Sequence, residues 1–340
     1  MSEMKMKKMI NDPQNFVDET VDGIIAAYGD RLHLLNGDKR ILCSSYPTQQ
    51  GKVGIITAGG SGHLPVFLGY VGQGMLDACV VGNVFASPAY TKMADAIRAV
   101  DQGAGVLCLF GNYGGDRMNL EQAREDVAFD DIRTEALYVT DDIASSPKET
   151  AEKRRAVAGM VYAFKIAGAA AAQMRSLDEV VAVTKRAMDN IRTIGVATSP
   201  CIVPDVGVPT FSIEPDEIEV GMGIHGEKGI EVCRMMRADE IAEKLMQRLL
   251  CDLPLRSGDE ISVMINGLGA TPLEEQLIVY RKVSSILANH GVTVFMPHIG
   301  EFATSMEMAG LSVTLFKLDD ELKTLLRAPA QTPFYTNSNK

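Results

Sequence analysis

The chain has 340 residues, which is enough for two ordinary domains or one large one with a substantial core. Its formal net charge is −11, from 33 basic and 44 acidic residues, and no concentrated basic tract supports nucleic-acid binding. No apolar run is long enough to span a bilayer, and residues 1–8 lack the apolar region of a signal peptide. The six cysteines are scattered without a CxxC pair, as in proteins of a reducing compartment. We therefore expect a cytoplasmic protein that binds neither nucleic acid nor a membrane.

Along the N-terminal part of the chain, short apolar runs alternate with helical patterns, which is typical of α/β units. The first unit predicts a strand, a glycine turn at residues 58–62, and a helix after Pro65. The second predicts a strand, an exit loop at residues 112–116, and a helix at residues 120–127. The predicted strands of this part lie at residues 53–57, 105–110 and 135–139.

Two patterns mark helix starts. Ser176 and Glu179 form a capping box, which predicts a helix running through Met188. Thr271 has the position of an N-cap, with Pro272 as the first helical residue, and predicts a helix through about residue 288. Further strands are predicted at residues 260–265, 291–295 and 311–316.

These elements predict the α/β class, with two α/β domains whose sheets are mostly parallel or mixed and are flanked by helices. A domain change is expected between residues 185 and 200, where a new set of strands and loops begins. We place the N-terminal domain at residues 1–190, with the glycine-rich loop, His63 and Asp116. The C-terminal domain, residues 191–340, carries His225.

Two histidines lie in glycine-rich runs, His63 within residues 59–65 and His225 within residues 223–229. Glycine lets the backbone approach a small ligand closely, so both loops are predicted to line one site. A histidine can act as base, acid, nucleophile or metal ligand, and the pattern alone does not choose among these roles. For His63, a capping or packing role at a helix start has equal weight. The remaining histidines, His33, His290 and His298, have no comparable setting and are interpreted as structural.

Several kinds of site are disfavoured. The run at residues 59–63 could hold an anion on its backbone amides, but it lacks the P-loop ending and the spacing of a dinucleotide fingerprint. The sequence has no HxxxH, HExxH or CxxC pair that would indicate a metal site. It also lacks the Gly-x-Ser-x-Gly elbow that would indicate a hydrolase. Asp116 follows a predicted strand in a glycine loop, where active groups of α/β sheets often lie, although it could equally cap a helix starting at Met118.

Seven short runs, taken in this order and spacing, resemble the dihydroxyacetone-binding K subunit of dihydroxyacetone kinase. The runs are MKKMIND at residues 6–12, GGSGHLP at 59–65, GYVGQGML at 69–76, FASP at 85–88, NYGGD at 112–116, GIHGE at 223–227 and NGLGATPL at 266–273. The resemblance extends over nearly the whole chain. It implies two α/β domains and a homodimer.

The resemblance also implies a chemistry for each candidate residue. His225 matches the histidine that holds a short ketose as a covalent hemiaminal, which selects a ketone over a polyol such as glycerol. His63 matches the general base for the hydroxyl that is phosphorylated, and Asp116 the residue that hydrogen-bonds the substrate. Gly60, Ser61 and Gly62 would supply further contacts in the pocket.

Partners follow from the same resemblance. The nucleotide, ADP or ATP with Mg²⁺, is expected on a separate helical L subunit, recharged in many bacteria by a phosphoprotein of the sugar phosphotransferase system. No cofactor or metal is expected on this chain, and no fused nucleotide domain is expected after Lys340.

Two positions depart from the family pattern. Leu64 stands where many members have glutamate, and Gly111 where they have lysine. Loss of this charged pair is compatible with a different short ketose, such as a tetrulose. It also keeps open a catalytically silent relative that binds dihydroxyacetone and acts as coactivator of a transcription regulator. An unrelated α/β enzyme, for example a hydrolase, is the third alternative.

Overall fold

The computed structural model describes residues 6–338. In chain order its helices are α1 (Phe16–Tyr28), α2 (Tyr90–Val100), α3 (Gly114–Val127), α4 (Met160–Ala172), α5 (Leu177–Asp189), α6 (Ala238–Asp252), α7 (Leu273–Asn289) and α8 (Asp320–Arg327). Its strands are β1 (Leu32–Leu34), β2 (Ile41–Ser44), β3 (Gly54–Ser61), β4 (Ala78–Val84), β5 (Val106–Gly111), β6 (Thr134–Val139), β7 (Ile191–Ser199), β8 (Glu217–Val220), β9 (Glu231–Arg234), β10 (Glu260–Gly267), β11 (Thr293–Val294), β12 (His298–Glu301), β13 (Ala309–Leu318), β14 (Ala330–Gln331) and β15 (Thr336–Asn337).

The chain forms two compact units, each built from several segments. The His63 unit comprises residues 9–139, 160–188 and 320–338, and the His225 unit comprises residues 6–8, 140–159 and 189–319. One crossing between the units lies close to the boundary that we predict at residue 190. Our prediction of two contiguous domains differs from the structure in two segments: residues 140–159 belong to the His225 unit, and residues 320–338 belong to the His63 unit. Local sequence patterns do not reveal such pairing between distant segments.

The His63 unit is built on a six-stranded sheet with the order β1-β2-β4-β3-β5-β6. β3 is parallel to β4 and β5, and β5 is parallel to β6, whereas β1 and β2 add an antiparallel edge. The core includes the fully buried Ile97 of α2, Phe110 of β5 and Leu120 of α3. Burial of one such side chain stabilises the fold by about 2 kcal/mol. Because β3, β4, β5 and β6 run parallel, their carboxyl ends share one edge of the sheet.

The prediction of a helix after Pro65 is wrong. β3 continues through the glycine run to Ser61, and only a 3₁₀ turn, Leu68–Tyr70, precedes β4. Phe67 has φ 72° and Gly72 has φ 153°, values that an α-helix excludes. The predicted strands at residues 105–110 and 135–139 are confirmed within one residue at each end.

The His225 unit is built on a mixed sheet with the order β11-β10-β13-β7-β8-β9, and β12 also pairs with β10. β10 runs parallel to β11 and β12, and the other neighbours are antiparallel. α6 and α7 pack against each other. The core between these helices and the sheet includes the buried side chains of Leu245, Val263, Val283 and Val313. Both sheets, flanked by helices, confirm the predicted α/β class.

The helix starts are partly confirmed. The backbone amide of Ser176 donates to Glu179 Oε2 at 2.8 Å and the amide of Glu179 to Ser176 Oγ at 3.4 Å, so the capping box is confirmed. α7 begins at Leu273, but Thr271 is not its N-cap. The Thr271 hydroxyl instead donates to the carbonyl of Gly310 at 2.6 Å and accepts from its amide at 2.8 Å. These bonds tie the loop to the start of β13.

Within residues 6–338, no helix has the length and apolar character needed to cross a bilayer. The six cysteines are free thiols: Cys43, Cys79, Cys108 and Cys201 are buried, Cys233 is half-buried and Cys251 is exposed.

Candidate functional site

His63 lies just beyond the carboxyl end of β3. Its side chain is buried, with 1% of its surface exposed. The imidazole stacks on the ring of Phe85 with centroids 4.7 Å apart and an interplanar angle of 18°. The ring of Phe67 meets it edge-on at 6.1 Å. Because Phe85 directly follows β4, the ends of two parallel strands fix the orientation of this histidine.

The glycines before His63 allow this close packing. A Cβ on Gly60 would lie 2.7 Å from the amide nitrogen of Ala86. Gly62 has φ 99°, and a Cβ there would lie 2.8 Å from the Phe85 ring. Ser61 donates its hydroxyl hydrogen to the carbonyl of Gly82 at 2.8 Å. These residues therefore join the ends of β3 and β4, and their predicted contacts with substrate stay a prediction.

Asp116 lies in the first turn of α3, the helix that follows β5, and is 7% exposed. The interpretation of Asp116 as the cap of a helix starting at Met118 is wrong, because α3 begins at Gly114 and Tyr113 is its N-cap. Since β3 and β5 are parallel neighbours, Asp116 and His63 follow strands that end at the same edge of the sheet.

His225 lies in the tight loop between β8 and β9. Gly226 has φ 84°, and its amide donates to the carbonyl of Gly223 at 3.0 Å. The amide of Gly223 donates to the carbonyl of Glu227 at 3.0 Å. A Cβ on Gly223 would overlap the Glu227 carboxylate and lie 2.7 Å from Nη1 of Arg155. Glycine at positions 223 and 226 therefore lets the loop close around a charged side chain.

The partner of the His225 ring is Glu227. Glu227 Oε1 lies 3.1 Å from Nδ1 of His225, and Oε2 accepts the His225 backbone amide at 2.9 Å. Burial alone would raise the pKa of Glu227, but the hydrogen bond from His225 and the charges of His225 and Arg155 lower it to about 2. An ionised carboxylate accepts but cannot donate, so the neutral imidazole carries its proton on Nδ1 and its lone pair on Nε2. With 22% of its side chain exposed, His225 has the chemistry of a nucleophile or base.

Sequence reasoning missed the charged residues behind this loop. Arg155 donates to Asp142 Oδ2 from Nε at 3.0 Å and from Nη2 at 2.7 Å. Burial raises the pKa of Asp142 to about 6, although the positive charge of Arg155 opposes that rise. A glutamate two residues after His225 was a usable local signal. No local signal connects residues 142 and 155 with residue 227, because the chain brings them together only through β7 and β8.

The structure places the predicted site residues in both units. Gly60, Ser61, Gly62, His63 and Asp116 belong to the His63 unit, and His225 belongs to the His225 unit. Among the described residues, no group of histidine, cysteine, aspartate and glutamate is arranged to hold a metal ion.

Known proteins provide an independent comparison. The family model described as the Dak1 domain matches residues 22–334. The chain is 44% identical over 330 residues to the "PTS-dependent dihydroxyacetone kinase 2, dihydroxyacetone-binding subunit DhaK" of Listeria innocua, covering 97% of this chain and 99% of the relative. It is 42% identical over 334 residues to the "L-erythrulose kinase" of Pectobacterium atrosepticum, covering 97% of this chain and 56% of the relative.

A solved structure is similar over the same length. The "Dihydroxyacetone kinase operon co-activator Dha-DhaQ" superposes with a TM-score of 0.89 at 30% identity, covering 94% of this chain and 98% of that one. The resemblance to dihydroxyacetone kinase subunits found in the sequence is thus confirmed by sequence and by fold. The chain belongs to the Dak1 domain family, together with the dihydroxyacetone-binding subunits of dihydroxyacetone kinases.

Proposed function

We propose that this chain is the ketose-binding subunit of a dihydroxyacetone kinase. It captures dihydroxyacetone or a similar short ketose on His225 as a hemiaminal, and a separate L subunit phosphorylates the captured molecule. The observation that carries this proposal is the contact between His225 Nδ1 and Glu227, because it sets the lone pair of the ring on Nε2. The 44% identity to a protein named as a dihydroxyacetone-binding subunit supports the choice of substrate class.

The proposed capture is an addition, and its atoms balance without another reactant. The Nε2 lone pair of His225 attacks the ketone carbon, the N–C bond forms, and the carbonyl π pair moves to oxygen, which takes a proton from solvent. The ring gains positive charge in this step, and the Glu227 carboxylate at 3.1 Å stabilises it. Release of the Nδ1 proton to solvent restores the neutral ring. Glycerol has no carbonyl and is excluded.

In the phosphorylation step, His63 acts as general base for the ketose hydroxyl and Asp116 hydrogen-bonds the substrate. Burial of His63 between two aromatic rings supports the first role, because a fixed ring orientation aims one nitrogen at the hydroxyl. Burial of Asp116 at the start of α3 supports the second. Gly60, Ser61 and Gly62 contribute polar contacts from the backbone and the hydroxyl group.

The proposed partner is an L subunit that carries Mg²⁺ with ADP or ATP, and this chain itself holds no cofactor. A phosphoprotein of the phosphotransferase system is proposed as the phosphate source for the L subunit, supported by the words "PTS-dependent" and "subunit" in the relative's name. We further propose a homodimer. Erythrulose is a second substrate candidate, because the chain is 42% identical to an L-erythrulose kinase.

A second function has its own support. The similarity to a protein named as an operon co-activator, with a TM-score of 0.89, favours a ketose-sensing subunit that does not support phosphorylation. Leu64 and Gly111 motivate this alternative, since they depart from the charged residues of the family pattern that the chain resembles.

One experiment separates these functions. Intact-protein mass spectrometry is performed with dihydroxyacetone, with erythrulose and with glycerol as control. It is followed by a coupled assay with a cognate L subunit, Mg²⁺ and either ATP, or ADP together with the phosphoprotein of the phosphotransferase system as phosphate donor. A kinase subunit gives a ketose adduct and phosphorylated product. A co-activator gives the adduct without product, and absence of any adduct rejects both functions. Substantial ATP-dependent phosphorylation by the purified chain alone would reject the requirement for an L subunit.

A further inference from the structure

Arg155 connects three groups around the His225 loop. Its Nε and Nη2 donate to Asp142 Oδ2 at 3.0 and 2.7 Å. Nη2 also donates to the carbonyl of Gly221, the residue that begins the loop, at 3.2 Å. Nη1 lies 3.9 Å from Glu227 Oε2. One guanidinium therefore contacts the backbone of the loop and lies between two carboxylates.

The guanidinium itself is held in place. Asp142 is almost completely buried, with 3% of its side chain exposed, and its Oδ1 accepts the amide of Ala144 at 3.0 Å. The amide of Arg155 donates to Ser145 Oγ at 2.9 Å, and its carbonyl accepts the amide of Asp142 at 3.1 Å. The planar guanidinium keeps its donors in a rigid fork. With both ends of Arg155 anchored, its Nη1 has a defined position beside Glu227.

The charges of this cluster suit the addition of a ketone. With a neutral His225, one guanidinium between two carboxylates leaves one excess negative charge behind the imidazole. When Nε2 bonds to a carbonyl carbon, the ring becomes positive and neutralises that charge. Without Arg155, the carboxylates of Asp142 and Glu227 would repel each other, and the Glu227 carboxylate would lose the positive charge 3.9 Å from its Oε2 that helps to hold its Oε1 against Nδ1 of His225.

We propose that Arg155, anchored by Asp142, is a positioning residue that keeps Glu227 oriented as the acceptor for Nδ1 and so keeps the lone pair of His225 on Nε2. This inference rests on the proposed function, in which Nε2 forms the bond to the ketose. Arg155 acts through Glu227 and does not touch the substrate.

A double-mutant cycle tests this assignment. Arg155→Gln, Glu227→Gln and the double variant are compared with the native protein by the dihydroxyacetone concentration that gives half-maximal adduct. The tautomer of His225 is read by long-range ¹H–¹⁵N NMR of histidine-labelled protein. We expect Arg155→Gln to weaken adduct formation about 10-fold, as for residues that orient an active group, and to increase the share of the Nε2–H tautomer. Arg155→Gln should have no further effect in the Glu227→Gln background, because the two residues act in series.

Two further variants complete the design. Arg155→Lys keeps the charge and should recover part of the affinity and the native tautomer. Arg192→Gln removes another arginine that pairs with a carboxylate in the same unit, Asp252, and should leave the tautomer unchanged. If Arg155→Gln does not fold, Asp142→Asn takes its place in the cycle under the same criteria.

The inference is overturned if Arg155→Gln weakens adduct formation equally in the native protein and in the Glu227→Gln variant. It is also overturned if the tautomer of His225 in Arg155→Gln is the same as in the native protein. If the native protein forms no adduct at all, the proposed function fails. The NMR comparison still decides whether Arg155 controls the tautomer of His225.

Discussion

The two histidines of this chain have opposite surroundings. His63 is buried against two aromatic rings at the end of a strand with parallel neighbours, and its position depends on packing. His225 lies in a glycine loop between antiparallel strands, is partly exposed, and is paired with the carboxylate of Glu227. Packing fixes the direction of a ring, whereas a carboxylate fixes its tautomer and stabilises positive charge. We therefore propose proton transfer for the histidine of one unit and covalent capture for the histidine of the other.

The largest effect is expected from removing the capturing ring. His225→Ala should abolish the ketose adduct completely, because no other described group is proposed to bond the carbonyl carbon. Intact-protein mass spectrometry with dihydroxyacetone measures this. His290→Ala, which changes an exposed histidine at the end of α7, is the control and should form the adduct normally. An adduct of undiminished yield on His225→Ala would remove the distinction between the two histidines.

Removal of the other ring should separate binding from phosphorylation. His63→Ala should keep the adduct but lower phosphorylation with the L subunit by about 10²- to 10⁴-fold, the usual contribution of a general base. The rate of product formation at saturating ketose provides the measurement. Loss of the adduct in a folded His63→Ala protein would show that both histidines serve binding.

A neutral isostere of the carboxylate should weaken capture without preventing it. We expect Glu227→Gln to raise the half-maximal ketose concentration about 10- to 100-fold, because the amide cannot stabilise the positive ring as a carboxylate does. Glu274→Gln, an exposed change on α7, is the matched control. Equal ketose affinities for both variants would argue that the contact between Glu227 and His225 has no part in capture.

The packing of His63 predicts a moderate loss of stability. Gly62→Ala should lower the free energy of unfolding by about 2 kcal/mol, because alanine is strained at φ 99° and its Cβ meets the Phe85 ring. Gly51→Ala is the control: Gly51 also has a positive φ, 80°, but its Cβ would meet nothing within 4 Å. Urea denaturation compares them. A loss no larger for Gly62→Ala than for Gly51→Ala would mean that the aromatic packing around His63 is loose.

The smallest expected effect is a pH dependence of stability. The folded-state pKa of Glu227 is about 2, below its ordinary value of 4.5, so its ionised form stabilises the fold above pH 4.5. That contribution is lost as the pH falls from 4.5 towards 2. Between pH 6 and pH 3 the stability advantage of the native protein over Glu227→Gln should shrink by about 1 kcal/mol, after allowance for partial exposure. Urea denaturation at both pH values checks this, and an advantage that grows in acid would contradict it.

The sequence predicted most where the signal was local. Apolar runs identified β5, β6 and β10, and the capping box identified the start of α5, because these patterns reflect neighbouring residues. The family resemblance found the candidate site residues through short motifs. Its assignment of chemical roles to His63, Asp116 and His225 remains a prediction.

Prediction from the sequence failed where contacts between distant residues determine the local structure. β3 continues through its glycines because β4 pairs with it, and the left-handed backbone of Phe67 replaces the predicted helix. Asp142 and Arg155 reach the His225 loop through a segment that we expected in the other domain. No periodicity or spacing encodes such a contact, since it depends on the pairing of strands far apart in the chain.

The most direct test of the central claim is ¹³C NMR of dihydroxyacetone labelled at its carbonyl carbon and mixed with the native protein. We predict that the bound carbon leaves the ketone region and appears as a tetrahedral carbon bonded to ¹⁵N of His225, a signal absent from His225→Ala. A bound ketose that keeps its ketone resonance, or a tetrahedral signal without coupling to ¹⁵N, would contradict covalent capture by His225.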